Sequence, residues 1–164
     1  YGLSKYLHLS STHKFPRVVS VQNPYSFINR TYEVGLAEIS VREKVGLLAY
    51  SPLAFGMLSG KYLNGQMPEG SRLKLYSKNF PRYQGTRSQL AVEEYYKIAQ
   101  KYEMSLTQMS LAFVNMQPFV DSNIIGATNM KQLEENINSI HIDLSDEIIK
   151  DINAIHENNP SPAP

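Results

Sequence analysis

The chain has 164 residues, of which 42% are hydrophobic and 19% charged, and its net charge is +1. That length suits one domain with a sizeable core, and the composition is ordinary for a globular protein. The charge balance gives no ground for a nucleic-acid or membrane partner, and the absence of cysteine excludes a disulfide framework, a thiolate nucleophile and a thiolate metal site. No apolar run reaches the roughly 18 residues of a membrane-spanning helix. The opening YGLSKYLHLSSTHKF has neither a basic leader nor a small-residue cleavage site, and no initiator methionine. The expectation is a cytoplasmic chain that begins partway through something longer.

Residues 1–14 place Leu3, Tyr6, Leu7 and Ser10 on one helical face, and Phe15-Pro16 ends that helix. RVVSVQ at 17–22, β-branched and set between Pro16 and Pro24, reads as a buried strand. Residues 33–44 read as a helix. VGLLAYSPL at 45–53 is a near-continuous apolar run, the pattern of a parallel strand buried on both faces. Residues 62–87 have no period and contain Gly65, Pro68, Gly70, Pro81 and Gly85, which predicts a long loop. Helices are expected over 88–102 and 106–116, the second opened by the capping-box pattern Ser105-x-x-Gln108. SNIIGA at 122–127 reads as a strand, followed by helices over 130–140, with Asn129 as N-cap, and 146–157, with Ser145 as N-cap. The tail NNPSPAP at 158–164 is polar and proline-rich and is expected to be loosely held. Strands alternating with helices mean βα units and a parallel sheet. Three such strands fit a little under half of a (βα)8 barrel, whose usual length is about 250 residues.

Three segments carry candidate chemistry. In IIGATNMKQLEENI (124–137) a strand runs through Gly126 into a helix N-terminus, where free N–H groups and the helix dipole suit an anion. Gln132, Glu135 and Asn136 follow on one helical face. A capped helix with a polar solvent face accounts for the same letters equally well. AYSPLAFGMLSGKY (49–62) follows directly on a buried strand, so Tyr50 offers a stacking face, and Ser51, the backbone through Phe55, and Lys61 offer a phosphate cradle. The alternative is a core tyrosine and a solvated lysine. From Lys61 to Arg87 there are six basic residues (Lys61, Arg72, Lys74, Lys78, Arg82, Arg87) against one acid, Glu69. A basic loop suits an anionic ligand, and arginine binds two phosphate oxygens with its planar fork; for any single residue here, incidental surface charge is the plainer reading.

Together, VVSVQNPYSFINR (18–30), GLLAYSPLAFGMLSGKYLNG (46–65), Ser71-Arg72 and IIGATNMKQLEENI (124–137) resemble the aldo-keto reductase family. Within it they are similar to the Tas-like members and the potassium-channel β subunits. The resemblance covers nearly the whole chain. It implies the C-terminal half of a (βα)8 barrel, one partial domain over 1–164 that holds NADP(H), with residues 62–87 covering the cofactor. It further implies that Gln22 bonds the nicotinamide carboxamide and that Tyr50 stacks on the ring. Ser51, Pro52, Leu53, Ala54, Phe55 and Lys61 then form the pyrophosphate loop. Arg72, Gly126, Thr128 and Gln132 form the 2′-phosphate site, and Glu135 and Asn136 contact the adenine. Many members carry a basic or hydroxyl residue where Ala127 or Gln132 stands, so preference for NADP over NAD would rest on Arg72 and Thr128.

The family's catalytic aspartate, tyrosine, lysine and histidine belong to the other half of the barrel, and none maps onto this chain, so no catalytic residue is assigned. His8, His13, His141 and His156 lack metal-ligand spacing. The implied activity is NADPH-dependent reduction of aldehydes or ketones by the complete protein, with a carbonyl compound as substrate and this chain alone inactive. A nucleotide-binding accessory subunit and an inactive fragment are the alternatives. Half a parallel barrel leaves strand edges unpaired, so pairing with the missing half or with a second copy is expected.

Overall fold

A computed structural model describes residues 1–164, apart from the side chain of Ser77. Three parallel strands, β1 (Ser20–Pro24), β2 (Gly46–Tyr50) and β3 (Val120–Ile124), lie in the order β1-β2-β3. The helices are α1 (Gly2–His13), α2 (Leu36–Glu43), α3 (Arg72–Tyr76), α4 (Thr86–Lys101), α5 (Leu106–Asn115), α6 (Met130–Asn138) and α7 (Asp146–Asn158). Parallel strands joined through helices are the βα units expected from the sequence, and the sheet is consistent with a portion of a (βα)8 barrel.

The two faces of the sheet differ. Leu47 and Ala49 of β2 are fully buried and share one core with Phe113 and Val114 of α5 and Tyr95 of α4. Leu48 and Tyr50, pointing the other way, are half-buried, and Gln22 and Ile124 are exposed. The row Gln22–Leu48–Ser122 and the row Pro24–Tyr50–Ile124 therefore line a helix-free face. In a closed barrel that face is the interior.

Three N-caps follow from their side chains. Ser105 accepts from Gln108 N–H at 3.4 Å, Asn129 from Gln132 N–H at 3.0 Å and Ser145 from Ile148 N–H at 3.4 Å. The strand boundaries move. Residues 17–19 are not paired, because β2 begins at Gly46 opposite Ser20 and the Arg17 guanidinium turns to the Glu43 carbonyl at 2.5 Å. β3 ends at Ile124, level with Tyr50, so Ile125–Ala127 run beyond the sheet. β2 ends at Tyr50 rather than at residue 53, because Ser51 takes a left-handed φ of 55°. The expected helix over 33–44 splits into a 3-10 turn, Thr31–Val34, and α2, with Gly35 between them.

The expected loose tail is instead packed. Ala163 is fully buried and its N–H donates to the Ile28 carbonyl at 3.0 Å, while Ser161 Oγ accepts from Arg30 N–H at 3.1 Å. Polar, proline-rich composition favours a loose end only where no niche receives it. Here the turn after β1 supplies one.

α7 brings His156 against the same turn. Its Nδ1 is buried with no hydrogen-bond partner among the described residues, and burial together with the Arg30 charge pushes its pKa below the usual histidine value, Glu33 and Glu157 opposing. Below about pH 6.5 the unfolded chain then takes up a proton that the folded chain refuses, so stability falls as pH falls. Thermal unfolding between pH 7.5 and 5.5 should show this slope, and His156→Gln should flatten it; an unchanged slope in the variant would refute the assignment.

Candidate functional site

The C-terminal ends of β2 and β3 and the basic segment between them meet in one place. After Tyr50 the chain makes a run of left-handed residues: Ser51 (φ 55°), Ala54 (48°), Phe55 (61°) and Gly56 (94°). Non-glycine residues adopt such angles rarely and at a cost, and they concentrate at ligand sites. The run is locked by turns, Ala54 N–H to Ser51 carbonyl at 2.8 Å and Gly56 N–H to Leu53 carbonyl at 2.8 Å, and is anchored by buried Pro52 and Ala54. Lys61 folds back over it. A Cβ on Gly56 would lie 3.1 Å from Lys61 Cε and 3.2 Å from its Nζ, so glycine makes room for the ammonium.

Arg72 begins α3, and its guanidinium lies 5.6 Å from the Phe55 ring centre. The same guanidinium also reaches the turn after β3, where a Cβ on Gly126 would sit 3.5 Å from Nη2. One arginine thus joins the loop after β2 to the turn after β3. Phe55 is in turn flanked by Phe80 at 4.1 Å and Tyr83 at 6.2 Å. Leu73 N–H donates to Tyr62 Oη at 3.2 Å, which fixes the start of α3 over the loop.

The turn into α6 is more self-satisfied than a bare anion site. Thr128 donates both its N–H and its hydroxyl to Gln132 Oε1, each at 2.9 Å. Asn136 is buried, and its amide donates to the Gly126 carbonyl at 3.3 Å. Glu135 accepts from the Ser105 hydroxyl at 2.5 Å, tying α6 to the cap of α5. All four polar side chains expected on this turn, Thr128, Gln132, Glu135 and Asn136, therefore have structural bonds as well. Gln22, on the helix-free face, is a diagonal neighbour of Tyr50 across the β1–β2 pair.

Of the six basic residues between 61 and 87, Lys61 and Arg72 point into this place. Lys74 pairs with Glu69, Arg82 donates to Tyr83 Oη at 3.1 Å and Arg87 binds Asn159. The segment is also less irregular than its sequence predicts, since it contains α3 and short 3-10 turns at Leu63–Gly65, Ser77–Asn79 and Pro81–Tyr83. Sequence reasoning missed Phe80 and Tyr83, whose approach to Phe55 no local pattern signals. It also passed over Ser71, buried beside Arg72 with its hydroxyl unpartnered among the described residues; the Ser71-Arg72 pair was its signal. Among the described residues no group of histidines and carboxylates is placed to hold a metal, and no helix is long and apolar enough to cross a membrane.

The likeness to known proteins runs over nearly the whole chain. A model described as the aldo/keto reductase family matches residues 2–157. The whole chain is 51% identical to Protein tas of Escherichia coli (strain K12), covering 47% of that protein. It is 34% identical over 163 residues to an aldo-keto reductase of Babesia bovis, covering 95% of this chain and 57% of that one. Over 158 residues it is 32% identical to a candidate voltage-gated potassium channel subunit beta of Schizosaccharomyces pombe, covering 90% of this chain and 45% of that one. The chain spans about half the length of these curated relatives. With a parallel βα sheet whose strand ends gather a basic, glycine-lined cradle, and a family match over nearly every residue, this chain belongs to the aldo/keto reductase family.

Proposed function

We propose that this chain is the NADP(H)-binding part of an oxidoreductase that reduces aldehydes or ketones. The observation that carries the reading is Arg72, held between Phe55 and the Cβ-free approach at Gly126, with Lys61 over the adjoining loop. Glycine at the approach and two cations around it fit a dinucleotide phosphate chain and an adenosine 2′-phosphate. Phe55 gives the guanidinium a flat face to rest on, so its fork stays ordered. The bound nicotinamide would supply the hydride. The residues of this chain would bind and orient it: Gln22 at the carboxamide, Tyr50 beneath the ring, Ser51–Phe55 and Lys61 at the pyrophosphate, Arg72 and Thr128 at the 2′-phosphate. Glu135 and Asn136 would contact the adenine and also brace α6.

Titration with NADPH and NADH tests this. Arg72→Ala should weaken NADPH about 10- to 100-fold, the worth of a charge-assisted bidentate pair, and leave NADH within about twofold. Equal loss for both nucleotides would refute the 2′-phosphate assignment. The chain alone should not turn over an aldehyde, since the proton donor would come from the rest of the protein; turnover by the purified 164 residues would overturn that. The uncovered face of β1–β3 and its two unpaired edges support a partner there, the remainder of the barrel or a second copy.

The likeness to a candidate channel β subunit favours a second reading, a nucleotide-binding accessory subunit. Tight NADP(H) binding with negligible turnover by the full-length protein, and co-purification with an intact partner, would select it.

A further inference from the structure

The segment after α7 does more than fill a niche. Asn159 Oδ1 accepts from Arg87 Nε at 2.9 Å and Nη2 at 2.7 Å, while its amide donates to the Arg87 carbonyl at 2.9 Å. Ser88, fully buried, donates to the Pro162 carbonyl at 3.1 Å and to the Arg82 carbonyl at 3.2 Å. At its other side the segment holds the turn after β1, through Ser161 to Arg30 N–H and Ala163 to Ile28. Five residues thus bridge the start of α4 to the first strand's turn, through bonds that each span more than 70 positions of sequence.

What they hold leads back to the candidate site. Arg82 stands over the Tyr83 ring at 4.9 Å and bonds its hydroxyl, and Tyr83 and Phe80 pack on Phe55. Phe55 in turn carries Arg72. The contacts are continuous from Ala163 to Arg72, and each is a packed ring or a paired polar group. The arm from α3 to α4 has no sheet partner and is otherwise built from short turns, so its rigidity must come from outside itself.

We propose that Asn159–Ala163 is a strap that positions the basic arm 72–88, and through it Arg72, so that a segment with no contact to the nucleotide sets its affinity. This rests on the NADP(H) reading for its functional consequence but not for its mechanics. The strap residues act through Phe55 and Arg72 and are positioning residues.

The test uses Asn159→Ala and Ser161→Ala, which remove surface or half-buried bonds without opening the core, and Ala163→Glu, which cannot enter a fully buried niche. The first readout is limited trypsin digestion of the protein without nucleotide. Cleavage after Arg72, Lys74, Lys78 and Arg82 should quicken about fivefold in Asn159→Ala, the scale of one lost polar contact, and more in Ala163→Glu. Cleavage after Lys101 and Lys131 should not change. The second readout is the affinity for NADPH relative to NADH, which should narrow about fivefold in Asn159→Ala and be restored in part by Asn159→Asp, whose carboxylate still accepts from the Arg87 guanidinium but cannot donate to the Arg87 carbonyl. Unchanged digestion of the arm, or equal acceleration at every site, overturns the strap. Faster digestion of the arm in the variants, with a wild-type protein that binds no NADPH, upholds the strap and refutes the nucleotide reading instead. Wild-type NADPH binding with unaltered discrimination in the variants overturns the link to Arg72.

Discussion

Arg30→Ala should destabilise the fold by about 3 kcal/mol, the lower end of the cost of breaking a buried ion pair, because Glu33 keeps partial access to solvent. The Arg30 side chain is only 11% exposed and its Glu33 partner 28%. Its Nε and Nη2 bind the two oxygens of Glu33 at 2.7 and 2.9 Å, and Nη1 donates to Asn153 of α7 at 2.8 Å. Its guanidinium also lies 5.0 Å from the Phe113 ring centre. Tyr25, buried, donates its hydroxyl to Glu33, and burial, with Glu33 beside it, drives its pKa far above the usual tyrosine value. Alanine at 30 would leave the Glu33 carboxylate with a neutral hydroxyl alone and open a space against Phe113. Denaturant unfolding followed by circular dichroism gives the loss. For a domain of this size the melting point should drop by roughly 10 °C. Arg30→Lys should recover only part, because an ammonium cannot serve Glu33 and Asn153 in one plane. A loss below about 1 kcal/mol in Arg30→Ala would mean that the network contributes little beyond surface pairing.

Phe27→Ala should cost about 3–5 kcal/mol by cavity formation. Phe27 is fully buried between Tyr95, stacked at 4.5 Å, and Phe113, tilted at 5.0 Å. The Tyr95 hydroxyl donates to the Phe27 carbonyl at 3.2 Å, a bond that survives the substitution. The loss therefore reports the ring: its buried area plus an aromatic pairing of about 0.5–1.5 kcal/mol. Phe27→Leu keeps most of the volume and should cost under about 2 kcal/mol. The chain has eleven tyrosines and no tryptophan, so tyrosine fluorescence can follow unfolding. Equal losses for leucine and alanine would show that the ring's shape, rather than its volume, matters.

Both predictions fall in NPYSFINR, which the sequence offered only as a family mark. Its letters gave no sign of a core, because Tyr25, Phe27 and Ile28 follow neither a strand nor a helix period. They are buried because α4, α5 and α7 converge there. The legible parts were those with local causes. GLLAY is apolar throughout because helices cover one face and the barrel interior receives the other. Ser105, Asn129 and Ser145 cap helices because their side-chain oxygens reach a backbone N–H three residues on. Strand ends were misplaced because pairing with β2, not β-branched content, sets where β1 begins and β3 stops.

The candidate site divides along the same line. Residue types and order, carried by the family resemblance, named Gln22, the Tyr50–Phe55 loop, Lys61, Arg72 and the Gly126–Asn136 turn. Chain order alone could say that these follow strand ends, and a parallel sheet puts all such ends on one side. It could not say which of six cations would face Gly126, because that depends on Phe55 turning into a left-handed conformation and meeting rings more than 20 residues away. Nor could it reveal the strap, whose every bond joins residues 70 or more positions apart. Sequence determined the βα order, the helix caps and the ligand-suited letters, since each follows from short-range periodicity or a single side chain's reach. Tertiary structure alone decided the polar partners of those letters, the burial of NPYSFINR and the packing of the tail, since each depends on surfaces brought together by the closed arrangement of helices on the sheet.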